Sequence, residues 1–260
     1  MNLKNKNYYT YIKNKTTPIV FIHGVGLDRN MWTPQINFFR KYSTLTYDLL
    51  GHGKTPFNKD KIIIEDYTHQ LISLIEDLKI SKLHLVGFSI GSLIAMDFAA
   101  NFNNKLSSLT LIATTYKRNQ KQRQEVIDRV NLAKSNKPIS KLALKRWFTD
   151  EYLEKNPKIY EEFMRILTKE PEEQKNFIKA YELFAHYKDD IKKIKKINTR
   201  TLVMTGSIDP GSTPEMSKNL SSDLKNSQYI EINKGKHLCS IECSDDVNIN
   251  IEKFIINDPN

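Results

Sequence analysis

The stretch LHLVGFSIGS occupies residues 83–92 and reads as a short apolar strand, a G-x-S-x-G turn and the start of a helix. Gly87 and Gly91 allow the strand and the helix to approach closely around a sharp turn, and this leaves Ser89 in strained backbone geometry at the end of the strand. A serine held in this way is a candidate nucleophile. The alternative is an ordinary Gly-Ser turn that caps a helix beginning at residue 93.

Strands and helices alternate around this turn, over residues 8–115. Apolar runs bounded by Gly, Asn, Ser or Pro predict four strands, at residues 19–23, 45–49, 83–88 and 109–113. Apolar residues at helical spacing predict helices over 62–78 and 93–102. Because nearly continuous apolar runs are typical of strands buried on both faces, we expect a mostly parallel sheet flanked by helices.

The pattern changes from residue 116 to residue 196, where charged, helix-favouring stretches replace the strands. They predict helices over residues 123–133, 139–148, 159–167 and 172–187. The alternation then resumes with a strand, a helix capped by Ser212 or Thr213, a second strand and a final helix, at residues 201–205, 214–224, 228–232 and 247–256. We therefore predict an α/β core formed by residues 1–115 and 197–260 and interrupted by a helical cap over 116–196.

A serine hydroxyl needs a base, and the base needs a group that orients it. Asp209 follows the predicted strand 201–205, and His237 follows the predicted strand 228–232. Since one helix and one strand separate them, both side chains are expected at the same edge of neighbouring parallel strands. The order Ser, Asp, His is that of α/β-hydrolases and differs from the two serine protease orders. The alternatives are a helix-capping role for Asp209 and a surface-loop position for His237.

The remaining histidines and the two cysteines suit other roles. His23, His52, His69 and His84 lie in turns, on an amphipathic helix or within a strand, while His186 lies in the predicted cap. His237, Cys239 and Cys243 form H-x-C-x3-C, which lacks a fourth zinc ligand, so we expect no metal. Two cysteines are too few for a disulfide framework.

Acyl transfer also requires hydrogen-bond donors for the oxyanion. The backbone N–H of Ile90, which follows the nucleophile candidate, is the first. The loop HGVG at residues 23–26 follows the strand 19–23, and its glycines let the backbone turn inward, so we expect the N–H of Val25 to be the second.

The chain resembles the α/β-hydrolase family over nearly its whole length, and within it the 3-oxoadipate enol-lactonase group. The matching stretches are HGVGLDRNMW, YDLLGHGKT, LVGFSIGS, RWFTDEYLEKNP, TGSIDPGSTP and GKH. The resemblance implies cleavage of a small-molecule ester or lactone through an acyl-enzyme on Ser89, without a cofactor. It also implies that Arg146 and Trp147 line the pocket, with the guanidinium meeting a substrate carboxylate. A solvated position for Arg146 on a cap helix is the alternative.

Other activities remain open at this point. The same scaffold suits C–C bond hydrolysis and perhydrolysis, and a non-catalytic ligand receptor is a further alternative because a fold does not define a reaction.

The composition gives a basic chain, because Lys and Arg total 40 against 30 Asp and Glu, a formal charge of +10. Scattered lysines explain this excess, and no motif for nucleic-acid binding accompanies it. No apolar run is long enough for a membrane span, and no signal-peptide core is present. We expect a cytoplasmic monomer or homodimer.

Overall fold

A seven-stranded sheet forms the centre of the computed structural model, which describes residues 7–135 and 140–256. The strands are β1 (Tyr9–Ile12), β2 (Ile19–Ile22), β3 (Thr44–Tyr47), β4 (Leu83–Phe88), β5 (Leu106–Ile112), β6 (Thr201–Gly206) and β7 (Ser227–Ile232). They lie in the order β1-β3-β2-β4-β5-β6-β7, and all neighbours are parallel except β1 and β3. The six predicted strands are confirmed and the seventh, β1, was not predicted.

Strand β1 escapes prediction because it is a half-exposed edge strand. It pairs only with β3, and three of its four residues are exposed, so its sequence YTYI lacks the apolar run that marks the buried strands. An apolar pattern in a sequence indicates a buried strand, whereas this exposed strand is formed by its backbone pairing with β3.

Helices cover both faces of the sheet. They are α1 (Thr33–Phe38), α2 (Ile64–Asp77), α3 (Ile90–Asn101), α4 (Gln120–Lys134), α5 (Ser140–Trp147), α6 (Asp150–Lys155), α7 (Pro157–Leu167), α8 (Pro171–His186), α9 (Ile191–Ile194), α10 (Pro214–Asp223), α11 (Cys239–Glu242) and α12 (Ser244–Ile256). None of these helices, within the described ranges, is long and apolar enough to cross a membrane.

Successive side chains of a central strand enter two different hydrophobic clusters. Val20 and Ile22 of β2 pack in the cluster that contains the buried faces of α2, α3 and α10. Ile19 and Phe21 pack in the other cluster, with α12. Each fully buried aliphatic side chain contributes about 1.5–3 kcal/mol to folding, so burial on both faces fixes the register of the strand.

The six helices α4 to α9 lie between β5 and β6, where the sequence predicts four. The two helices that were not predicted, α6 and α9, have six and four residues. The predicted helix over 139–148 corresponds to α5, and its residue 139 lies outside the described residues. At the end of this segment, Lys193 of α9 contacts Asp97 of α3 at 2.6 Å and Glu65 of α2 at 3.0 Å, which attaches the segment to the core.

Gly206 at the end of β6 permits a close backbone approach of the loop that follows β7. A Cβ atom at this position would overlap the backbone oxygens of Gly235 and Lys236. We therefore expect Gly206→Ala to lower the free energy of unfolding by about 3 kcal/mol, measured by urea denaturation. Gly211→Ala is the matched control, because its Cβ would meet only ordinary contacts. Equal stability of the two variants would contradict this interpretation.

Candidate active site

The turn between β4 and α3 holds Ser89 in a conformation that few non-glycine residues adopt. Its φ of 55° and ψ of −117° lie outside the helical and strand regions. The turn is forced by the close packing around it: a Cβ at Gly87 would overlap the carbonyl oxygen of Gly91, and a Cβ at Gly91 would overlap that of Ile22. Helix α3 begins directly at Ile90, three residues earlier than predicted, so Ser89 lies at the junction itself.

Asp209 and His237 come from the loops after β6 and β7 and meet Ser89 at the carboxyl edge of the sheet. The Nδ1 atom of His237 lies 2.7 Å from Oδ2 of Asp209, and its Nε2 atom lies 3.3 Å from Oγ of Ser89. All three residues are buried. A proton on Nδ1, donated to the carboxylate, leaves the Nε2 lone pair directed at the serine hydroxyl.

The Asp209 carboxylate is fixed by its own loop. Its Oδ1 atom accepts hydrogen bonds from the N–H groups of Gly211, at 2.8 Å, and Ser212, at 3.0 Å. The Thr205 hydroxyl donates to the Ser212 carbonyl oxygen at 2.8 Å and closes the loop. Since Oδ1 is occupied in this way, Oδ2 remains for His237.

The His237 imidazole is positioned by packing and by a backbone contact to the inserted helices. The Phe88 ring lies 5.1 Å from the imidazole, centroid to centroid. The N–H of Leu238, the next residue, donates to the Trp147 carbonyl oxygen at the end of α5 at 3.0 Å. The segment between β5 and β6 is therefore tied directly to the loop that carries the histidine.

The loop after β2 is held by a buried histidine. The Leu49 N–H donates to Nε2 of His23 at 2.9 Å, so the proton of a neutral ring is on Nδ1 and is donated to the Gly24 carbonyl oxygen at 2.8 Å. This places the next residue, Val25, at the pocket beside Ser89. Ile90 is the first residue of α3, where a backbone N–H has no partner within the helix, while its side chain is buried in the core.

A pocket opens between Ser89 and the inserted helices, and both predicted cap residues line it. Arg146 is only partly exposed to solvent. Its partial burial lowers the pKa of its guanidinium below the ordinary value, and the nearby Tyr181 hydroxyl opposes this shift. Trp147 is buried, with its ring edge-to-face against Phe163 at 6.3 Å. The structure thus brings Arg146 and Trp147 to the same pocket as Ser89 and His237.

Several pocket residues were not identified from the sequence. Helix α8 contributes Phe177, Tyr181 and Phe184, and α4 contributes Arg129. The three aromatic residues recur at helical spacing, a pattern in the sequence that indicates a shared face of this helix. Nothing in the sequence distinguishes Arg129 from its charged neighbours. His186, which lies in the predicted cap, is exposed at the end of α8 and does not line the pocket.

No three His, Cys, Asp or Glu side chains of residues 7–135 and 140–256 are grouped as a metal site would require. Cys239 is buried, and the Cys243 thiol lies 3.8 Å from the Asn233 carbonyl oxygen, so the H-x-C-x3-C spacing does not produce a ligand cluster there.

The fold and this arrangement at its edge define the class of protein: the chain belongs to the α/β-hydrolase fold family, whose sequence profile matches residues 17–242. It is 28% identical to the (E)-2-((N-methylformamido)methylene)succinate hydrolase of Acinetobacter baylyi, over 98% of this chain and 96% of that one. It is 25% identical to 3-oxoadipate enol-lactonase 2 of the same organism, over 91% and 87% of the two chains. Among solved structures, the enol-lactonase from Burkholderia xenovorans LB400 has a similar fold, with a TM-score of 0.87, 23% identity and coverage of 96% of both chains.

The buried histidines near this site give the stability of the protein a pH dependence. Burial lowers the pKa of His23, and it lowers the pKa of His52 well below its usual range. The positive charge of Lys169 adds to both shifts, whereas the negative charge of Asp48 opposes the shift of His23. The unfolded chain binds these protons near pH 6.5, so protons favour unfolding as the pH falls below that value. We expect stability to decrease by up to about 1.4 kcal/mol per pH unit for each histidine.

Urea denaturation at pH 7.5 and pH 5 measures this dependence. His52→Gln should flatten it, and the substitution of an exposed histidine, His69→Gln, controls for loss of the side chain itself. A variant His52→Gln with the same dependence as the wild type would show that other groups are responsible.

Proposed function

We propose that the protein is a serine hydrolase that cleaves a carboxylic ester or enol-lactone bond of a small molecule through an acyl-enzyme. The observation that carries this proposal is the hydrogen-bonded chain from Ser89 through His237 to Asp209, with distances of 3.3 and 2.7 Å. In this proposal the three residues are nucleophile, base and orienting acid, and residues 116–196 act as a cap over them.

The first half of the reaction follows from these positions. The Nε2 atom of His237 takes the proton as Oγ of Ser89 attacks the carbonyl carbon, and Asp209 stabilises the imidazolium that forms. The N–H groups of Val25 and Ile90 donate to the oxyanion, each contributing about 3 kcal/mol. When the intermediate collapses, the C–O bond breaks, and His237 returns the proton to the leaving alkoxide or enolate.

The second half uses the same groups on a water molecule. His237 removes a proton from the water, which attacks the acyl carbon, and the second oxyanion accepts hydrogen bonds from the same two N–H groups. Collapse breaks the bond to Oγ, His237 protonates Ser89, and a carboxylic acid is released. The proton that leaves with the alcohol or enol in the first half is replaced by a proton of the water in the second, so Ser89 and His237 end the cycle as they began it.

The substrate we propose is anionic. Arg146 lines the pocket next to Gly211, in the loop that holds Asp209, where a guanidinium can bind a carboxylate close to the scissile bond. The names of two relatives point the same way, since succinate and 3-oxoadipate are anions of dicarboxylic acids. C–C bond hydrolysis and ligand binding without turnover are the alternatives that the following tests separate, and perhydrolysis on the same scaffold is a further alternative.

Ser89→Ala should abolish turnover of 4-nitrophenyl esters, with a loss of about 1,000-fold or more, while leaving the thermal unfolding transition in place. A fluorophosphonate probe should label the wild type on Ser89, as located by mass spectrometry. Ser222→Ala, an exposed serine on α10, is the matched control. Labelling without ester hydrolysis but with cleavage of a vinylogous diketone would favour C–C bond hydrolysis, and absence of labelling would favour a receptor.

Arg146→Gln should lower the preference for a charged ester. A charge-assisted contact contributes about 1.5–3 kcal/mol, so the ratio of kcat/KM for mono-4-nitrophenyl succinate to that for 4-nitrophenyl butyrate should fall about ten- to a hundredfold. Lys145→Gln removes the same charge from the neighbouring exposed position of α5 and is the control. If Arg146→Gln changed both esters equally, Arg146 would support the cap and not the substrate.

A further inference from the structure

The pocket contains a second guanidinium that the reaction does not use. Arg129 of α4 lines it together with Arg146 of α5, and Tyr181 of α8 contacts both. The Nε atom of Arg129 donates a hydrogen bond to the Tyr181 hydroxyl at 3.1 Å. Because that oxygen accepts from Arg129, its own proton is available for a further acceptor.

Neither arginine is paired with a carboxylate of the described residues. Arg29 and Arg123, in contrast, have acidic partners in Asp48 and Asp189. Asp209 acts electrostatically on Arg146, but both of its oxygens are already engaged by the N–H groups of its loop and by His237. The pocket therefore has two positive charges that no described acidic side chain neutralises.

This arrangement is unfavourable for the unliganded protein. The positive charge of Arg129 and burial both act against the charged form of Arg146. Like charges that share a partly desolvated site cost stability unless an anion accompanies them. Guanidinium groups have planar donor geometry that suits carboxylates, so two of them in one pocket match a ligand with two carboxylates.

We propose that Arg129, Tyr181 and Arg146 form a dicarboxylate subsite, so that the substrate has two carboxylates in addition to the ester or lactone bond. Arg146 binds the carboxylate nearer to Ser89, and Arg129 with the Tyr181 hydroxyl binds the more distant one. The assignment of the scissile bond rests on the proposed function above, whereas the binding of a dianion rests on the three side chains alone.

Two esters with the same leaving group test whether the pocket binds a second substrate carboxylate. They are mono-4-nitrophenyl succinate, with one carboxylate, and the mono-4-nitrophenyl ester of propane-1,2,3-tricarboxylic acid, with two. Arg129→Gln should lower the ratio of kcat/KM for the dianion to that for the monoanion about tenfold or more. Lys121→Gln removes an exposed charge from the same helix and should leave this ratio unaltered. An equal loss for both esters, or the same fall in Lys121→Gln, would overturn the proposal.

Two conservative variants keep the test decisive if Arg129→Gln does not fold. Arg129→Lys keeps the charge without the planar fork, and Tyr181→Phe removes only the hydroxyl, so each should lower the same ratio to a smaller extent. If both variants fold and the ratio of kcat/KM for the dianion to that for the monoanion is unaltered, the proposed subsite is wrong.

A binding measurement separates this inference from the proposed reaction. In Ser89→Ala, succinate should raise the Tm more than butyrate at equal concentration, and adding Arg129→Gln should remove the difference. If succinate binds in this way but the wild type hydrolyses no ester, the proposed reaction is wrong and the subsite stands. If esters are hydrolysed at Ser89 but neither the Tm difference nor the ratio depends on Arg129, the subsite is wrong and the reaction stands.

Discussion

The backbone contact between β4 and α3 is the constraint on which the site depends. Gly87 and Gly91 bring the two elements so close that no side chain fits between them, and the turn that joins them has to pass through the left-handed conformation of Ser89. The energetic cost of that turn is offset by burial of β4 on both faces and of nearly all of α3. The Ser89 hydroxyl is therefore positioned by two elements that are almost completely buried.

The other two members of the hydrogen-bonded chain depend on the same sheet. Strands β5, β6 and β7 are parallel to β4, so the loops that follow β6 and β7 emerge at the edge where Ser89 lies. Gly206 then lets the loop with His237 approach the loop with Asp209 within backbone contact. The parallel sheet thus brings three residues that span 149 positions of the chain within hydrogen-bond distance of one another.

The helices between β5 and β6 have a different role from the sheet. They provide apolar walls and the two guanidinium groups, and they are attached to the core by shared hydrophobic clusters, by the ion pairs of Lys193 and by hydrogen bonds such as that from Leu238 to Trp147. Under the proposed function, the reacting groups lie at the sheet edge and the substrate-binding groups lie on the helices, in separate segments of the chain. Under the same proposal, changes in α4 and α8 can alter the substrate, whereas α5 is also hydrogen-bonded to the loop that carries His237 through Trp147.

The sequence alone determined the parts of this protein that depend on local backbone rules. The strand, G-x-S-x-G turn and helix predict Ser89 because only a few residue types permit that turn, and the order of strands predicts where Asp209 and His237 emerge. Only the tertiary structure decided which cap side chains share the pocket. Arg129, Arg146 and Tyr181 meet because α4, α5 and α8 come together around one pocket, and no sequence periodicity encodes how separate helices pack. The same reason explains β1, whose pairing with β3 is a contact between distant segments and leaves no apolar pattern in its own four residues.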